Sequence, residues 1–131
     1  MIEDLIRRYY DAFNRADFSA MAALVDDEVV HDVNQGRREV GRAAFETFLA
    51  SMDDAYVERI DDLVVFTEPS GRRAAAEFVV HGEYRRTQAG LPPATGQSYR
   101  LPVGAFFEAR DGRITRVTNY YNLQDWLNQV S

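Results

Sequence analysis

The chain contains neither cysteine nor lysine, and all fifteen of its basic residues are arginine. Thiol nucleophiles, disulfides, thiolate metal sites and lysine Schiff bases are therefore excluded. No apolar run approaches the ~20 residues of a membrane span. The opening "MIEDLIRRYY" lacks the basic segment followed by an apolar one that marks an export leader. No membrane partner and a cytoplasmic location are the expectation. Positive charge is also in short supply, the net charge being −6, whereas a phosphate backbone selects for a basic face, so nucleic acid is not an expected partner. Any chemistry must come from carboxylates, two histidines, tyrosine, serine or threonine, asparagine and arginine, and no metal or cofactor is expected.

What is present reads as one ordinary globular domain over residues 1–131, 46% hydrophobic and 27% charged, large enough to bury a single core around a cavity. Ile2, Leu5, Ile6, Tyr9 and Phe13 recur at helical spacing and predict an amphipathic helix over 2–15. Asp17 is placed to cap a second short helix in "FSAMAALV". "VVHDVNQG" follows, a strand running into a loop. Ala44, Phe45, Phe48, Leu49 and Met52 then form the stripe of a third helix over about 41–53. From Tyr56 the period changes to that of strands: "YVERIDDLVVFTE", "RRAAAEFVVHGEYRRT", "QSYRLPVGAFFEA" and "RITRVTNYYN", with turns at "PSGR", "AGLPPATG" and "RDGR". The first of these has no clean alternation, which predicts a bulge. "NLQDWLNQV" closes the chain as a short helix with Asn122 as its cap.

Three helices ahead of a long, mostly antiparallel sheet make an α+β arrangement, the helices covering one face of a strongly curved sheet that leaves a cone. Strand alternation puts Phe78, Val80, Gly82 and Tyr84 on one face. It groups Val30, Asp32 and Asn34 toward the cavity and turns His31 and His81 away, to a surface or interface role. Gly104 and Phe106 are assigned inward with Pro102, and Val117, Asn119 and Tyr121 also alternate inward. Both faces of "GAFF" are apolar. The uncovered face, with Val79, Val103, Ala105, Phe107 and Tyr120, is therefore expected to meet a second copy in a homodimer, with His81 nearby.

The strings "RRYYDAFNRADFSAMAALVDDEVVHDVNQG", "VGRAAFETFLASM", "GEYRRTQAGLPPATGQ" and "FFEARDGRITRVTNYYNLQDW", in this order, resemble the NTF2-like superfamily, in its ketosteroid isomerase and SnoaL-like polyketide cyclase branch. The resemblance covers essentially the whole chain and implies the cone fold. In ketosteroid isomerases a tyrosine of the first helix and an aspartate at the end of the first strand act together, the aspartate moving a proton between carbons. Tyr9 and Asp32 match those positions. The second acid of that family aligns with Gly104, and the acid that SnoaL-like cyclases carry on the last strand aligns with Asn119. Epoxide hydrolases of the same fold use an Asp, Arg, Asp set, two members of which align near Pro102 and Gly104.

Asp32 thus reads either as a base in the cavity or as an Asx turn into "NQG". Tyr9 is either a donor to a ligand oxygen or a core tyrosine bonded to backbone, and Asn119 a donor or a satisfied core amide. Trp126 is expected to seal the core. Two functions remain open. The first is an acid–base enzyme, an isomerase, cyclase or dehydratase for a small apolar oxygenated molecule, with Asp32 as base and Tyr9 and Asn119 polarising the oxygen. Phe13, Phe45, Phe48, Leu49, Phe78, Val80, Tyr84, Gly104, Phe106 and Tyr121 would complete its lining. The second is a binding or dimerisation module using the same cavity. As a base in an apolar pocket, Asp32 should have a pKa above the ~3.9 of a free aspartate.

Overall fold

The computed structural model describes all 131 residues: four helices, α1 (Ile2–Asn14), α2 (Phe18–Ala23), α3 (Arg42–Ala55) and α4 (Leu123–Val130), and six strands. The strands are β1 (Val25–Asp32), β2 (Arg38–Val40), β3 (Tyr56–Thr67), β4 (Arg73–Tyr84), β5 (Gln97–Arg110) and β6 (Arg113–Tyr121). They form one curved, open sheet in the order β2-β1-β6-β5-β4-β3. Every neighbouring pair is antiparallel except β1 and β6. No helix is long and apolar enough to cross a membrane.

Each helix forms where its signals stand. α1 buries Ile2, Leu5, Ile6, Tyr9 and Tyr10, and carries Glu3 and Asp4 in its first turn, where they complement the helix dipole. Its exposed side is laced by the pairs Glu3–Arg7, Asp4–Arg8 and Asp11–Arg15, each worth only a few tenths of a kcal/mol. Its last residue, Asn14, pairs with both the N–H and the C=O of Ile60 and so fastens the helix to edge strand β3. Asp17 caps α2 through the N–H of Ala20, and Asn122 caps α4 through the N–H of Asp125. β2, inside the stretch read as a loop, is a strand of three residues paired with the end of β1.

The irregularity expected in β3 lies between Asp61 and Val64, where the register against β4 shifts and Asp62 adopts φ +57°. Beyond it Val64 and Phe66 face solvent. The core lies between α1–α3 and the concave face of the sheet. Phe107, fully buried, meets Tyr9 and Tyr10 edge-on with ring centroids 5.7 and 5.9 Å away, a burial worth roughly 1.5–3 kcal/mol. Trp126 of α4 packs on Tyr56, Tyr84 and Tyr99 and closes one end of the cone.

Two strands take the opposite facing to the one expected. In β1 the inward residues are Val25, Val29 and His31, so Asp32 points to the outer face. The inward phase runs unbroken through the strand although its pairing with β6 shifts between Val25 and Val30, and Arg38 and Thr118 hold Asp32 on the outside. In β5 the inward residues are Leu101, Val103, Ala105 and Phe107, while Phe106 stands outside, 45% exposed. The space below Tyr9 and Tyr10 takes Phe107, and its neighbour must leave on the other side. Val103, Ala105 and Phe107 therefore belong to the core rather than to an interface patch.

Candidate functional site

Between α1, α3 and the concave face lies a cavity of about 280 Å³, lined almost entirely by apolar side chains. Of the residues expected there, Tyr9, Phe13, Phe45, Phe48, Leu49, Phe78, Val80, Asn119 and Tyr121 line it. Tyr84 stands behind the wall, its hydroxyl donating to the Pro92 carbonyl at 2.7 Å. Asp32, Gly104 and Phe106 are absent from the lining. A carboxyl at position 104 would project from the outer face, so the glycine there costs the cavity nothing. The polar groups that do reach the cavity are His31, Asn34, Glu58, Gln88, Asn119 and the tyrosine hydroxyls.

Asp32 belongs to an ionic cluster outside the cone. Arg38 Nε and Nη2 donate to its two oxygens at 2.6 and 3.0 Å, and the Thr118 hydroxyl donates at 2.6 Å. Arg116 donates in turn to Thr118 at 2.7 Å and pairs with Glu108. The Arg38 hydrogen bond is the main reason that the Asp32 pKa falls to about 2, the reverse of the shift expected for a base in an apolar pocket.

Inside the cone the carboxyl that meets apolar surroundings is Glu58. Glu58 on β3, Gly82 on β4 and Tyr99 on β5 are successive register partners. The Tyr99 hydroxyl crosses Gly82 and hydrogen-bonds Glu58. Burial raises the Glu58 pKa and outweighs the Tyr99 hydrogen bond, which lowers it. Burial likewise pushes up the tyrosines Tyr9, Tyr56, Tyr99 and Tyr121, so they are neutral donors at any ordinary pH. Asn34 accepts from the Tyr121 N–H at 3.1 Å, its buried Nδ2 makes no hydrogen bond of ordinary geometry, and the same side chain works against burial in lowering the Tyr121 pKa.

His31, 2% exposed, is packed between Phe45 and Phe48 of α3 at the opposite edge of the sheet. Burial lowers its pKa, against the pull of Glu39 and Asp32. His81 points away as expected and sits 3.2 Å from Asp61. Nowhere do three His, Cys, Asp or Glu side chains come together as a metal would need.

Sequence reasoning missed Glu58, Tyr99 and His31. A signal for the first was available: Tyr56, Glu58 and Ile60 alternate at period two, and Gly82 stands in the inward phase of β4, where a side chain would otherwise fill the cone.

The description of the SnoaL-like domain matches residues 6–117. Three solved structures are similar over nearly the whole of both chains, each of them described as a putative polyketide cyclase. The one from Xanthomonas campestris pv. campestris is 57% identical, covers 99% of this chain and 96% of its own, and superposes with a TM-score of 0.96. That from Pseudomonas putida is 50% identical, covers 100% and 98%, and gives 0.99. That from a Silicibacter species is 51% identical, covers 99% and 95%, and gives 0.97. No protein of curated function matches the chain.

Proposed function

We propose, for a chain that belongs to the SnoaL-like domain family, that the cone is an acid–base site for a small, largely apolar, oxygenated molecule, which it isomerises, cyclises by an aldol-type step or dehydrates. The observation that carries this is Glu58, a carboxyl in an apolar cavity with a raised pKa, held in place by Tyr99. All three reactions share one step, in which a proton leaves a carbon beside a carbonyl and charge collects on the oxygen. A protonated Glu58 can give that oxygen a hydrogen bond or a proton. Tyr9 on α1, Asn119 on β6 and Asn34 after β1 bring further donor groups to the lining of the same cavity. The description of the similar structures as putative polyketide cyclases fits this class of step.

The test is deuterium exchange into 2-tetralone, an apolar bicyclic ketone, in D2O. The protein is expected to speed exchange at the carbons beside the carbonyl, and Glu58→Gln to lose about a hundredfold of that rate. Binding of 2-tetralone without exchange would favour the second reading, a non-catalytic binding module, for which the almost wholly apolar lining speaks.

The same reading includes a homodimer through the outer sheet face. Phe106 and Tyr120 meet there edge-on, 5.8 Å apart, and are 45% and 59% exposed. The outward residues around them alternate arginine and acid, as with Arg116, Glu108, Arg38 and Asp32, a pattern that a twofold axis can make complementary to itself.

A further inference from the structure

We infer that His31 is the general base of this cavity and that Glu39 is its positioning residue, an assignment that rests on the acid–base reading above. The two are register partners on β1 and β2, and directly opposed residues of an antiparallel pair share a face. His31 Nδ1 faces Glu39 Oε1 at 3.9 Å, and both atoms are buried with no hydrogen-bond partner. A complementary donor and acceptor thus stand about one ångström short of a bond in a place where water does not reach them. The other carboxylate oxygen, Oε2, is drawn outward to Arg37 at 3.6 Å, which leaves Oε1 for the histidine. β2 has three residues and is an edge strand, so closing that gap requires only a small local adjustment.

The ring itself is fixed. Phe45 and Phe48 meet it edge-to-face, at centroid distances of 5.3 and 4.5 Å and angles of 84° and 75°. With Nδ1 turned to Glu39, the nitrogen left for the cavity is Nε2. A carboxylate acceptor at Nδ1 holds the proton on that atom and leaves the Nε2 lone pair free. The charged group facing the ring is Glu39 from β2, Asp32 from β1 acts on it only through the sheet from the outer face, α3 presents phenylalanines, and β6 places Val117 opposite. Burial outweighs both carboxylates, so the imidazole is neutral and able to accept a proton at neutral pH.

The step balances without any co-reactant. Nε2 takes a proton from the carbon beside the carbonyl, the C–H electron pair becomes the enolate double bond, and negative charge moves to the oxygen. The imidazolium, stabilised by Glu39, then returns the proton to carbon. Asp32, the next residue, takes no part because its side chain leaves on the other face.

Long-range nitrogen–proton spectra of the histidine rings, followed through a pH titration of the whole protein, test the assignment. The wild-type ring is expected as the Nδ1–H tautomer with a midpoint below the usual ~6.5. Glu39→Gln keeps an oxygen acceptor, so the tautomer stays, but it removes a charge that favours imidazolium, so the midpoint falls further. Glu39→Leu should lose the tautomer preference as well. His31→Gln should bind 2-tetralone and lose about a hundredfold of the exchange rate. An Nε2–H tautomer in the wild-type protein overturns the assignment, as does an unmoved midpoint in Glu39→Gln, and both can be read even if His31→Gln does not fold. Wild-type exchange that survives His31→Gln overturns this inference alone, whereas a wild-type protein that exchanges nothing overturns the acid–base reading with it.

Discussion

Tyr99 lies across Gly82: a Cβ at position 82 would come within 2.3 Å of the ring Cζ and 2.5 Å of the hydroxyl oxygen. The missing side chain on β4 is what lets a β5 hydroxyl reach a β3 carboxyl.

Gly82→Ala should therefore displace Tyr99 and unpair Glu58. Stability is expected to fall by about 1–3 kcal/mol in urea unfolding, from overpacking and a lost buried hydrogen bond. Since the Tyr99 bond lowers the Glu58 pKa, its loss should raise the Glu58 carboxyl midpoint further in a carbon-detected titration. A midpoint that drops would mean that Glu58 has gained solvent instead.

Asp32→Asn separates outer-face stability from cavity chemistry. The carboxyl is held at about 2 by Arg38 and Thr118. Its contribution is thus complete above the unfolded value of ~3.9 and disappears as pH falls through the folded value. The variant should be about 1 kcal/mol less stable than wild type at pH 7, with the difference vanishing toward pH 2, and its 2-tetralone exchange should be unchanged. A large loss of exchange with intact stability would restore a catalytic role to Asp32.

Glu58→Gln should behave in the opposite sense. An acid whose folded pKa is raised is penalised for ionising, so wild-type stability declines as pH rises from the unfolded ~4.3 toward the folded value. Glutamine can still accept from Tyr99 and carries no charge. The variant should equal or exceed wild-type stability at pH 7, and the advantage should shrink at pH 4. Thermal melts at the two pH values measure it.

If the proposed dimer forms through the outer face, Phe106→Arg combined with Tyr120→Arg should give a monomer without altering the helical signal in circular dichroism, because both side chains stand outside the core. Sedimentation at tens of micromolar reads the outcome. A wild-type protein that sediments as a monomer there would remove the interface from the account.

The helices and their caps were legible in the sequence because each depends on residues close along the chain: the α1 stripe, Asp17 with Ala20, Asn122 with Asp125. The facing of Phe78 and Val80 was legible too, since β4 alternates without interruption. β1 was not, because "VVHDVN" carries both valine and polar side chains in either phase, and the outward partners of Asp32 come from β2 and β6. "GAFF" offers two apolar phases, and only the presence of Tyr9 and Tyr10 overhead decides between them. Glu58 was hidden by its setting, "VERIDD", which reads as a solvated stretch. Its burial depends on a glycine and a tyrosine far away in the chain.

The loop from β4 to β5 is moored by the N–H groups of Arg85 and Arg86 on the Ala55 carbonyl, by Arg86 on Asp54, by Tyr84 on Pro92, and by Gln88. Gln88 accepts from the Tyr56 hydroxyl at 2.9 Å and donates to Ser51 of α3 at 3.0 Å, while itself lining the cavity. Through these two bonds the loop is tied to β3 and to α3 at once. Gln88→Ala is expected to cut both ties at once and so to speed 2-tetralone entry and exit alike, which stopped-flow binding rates would read.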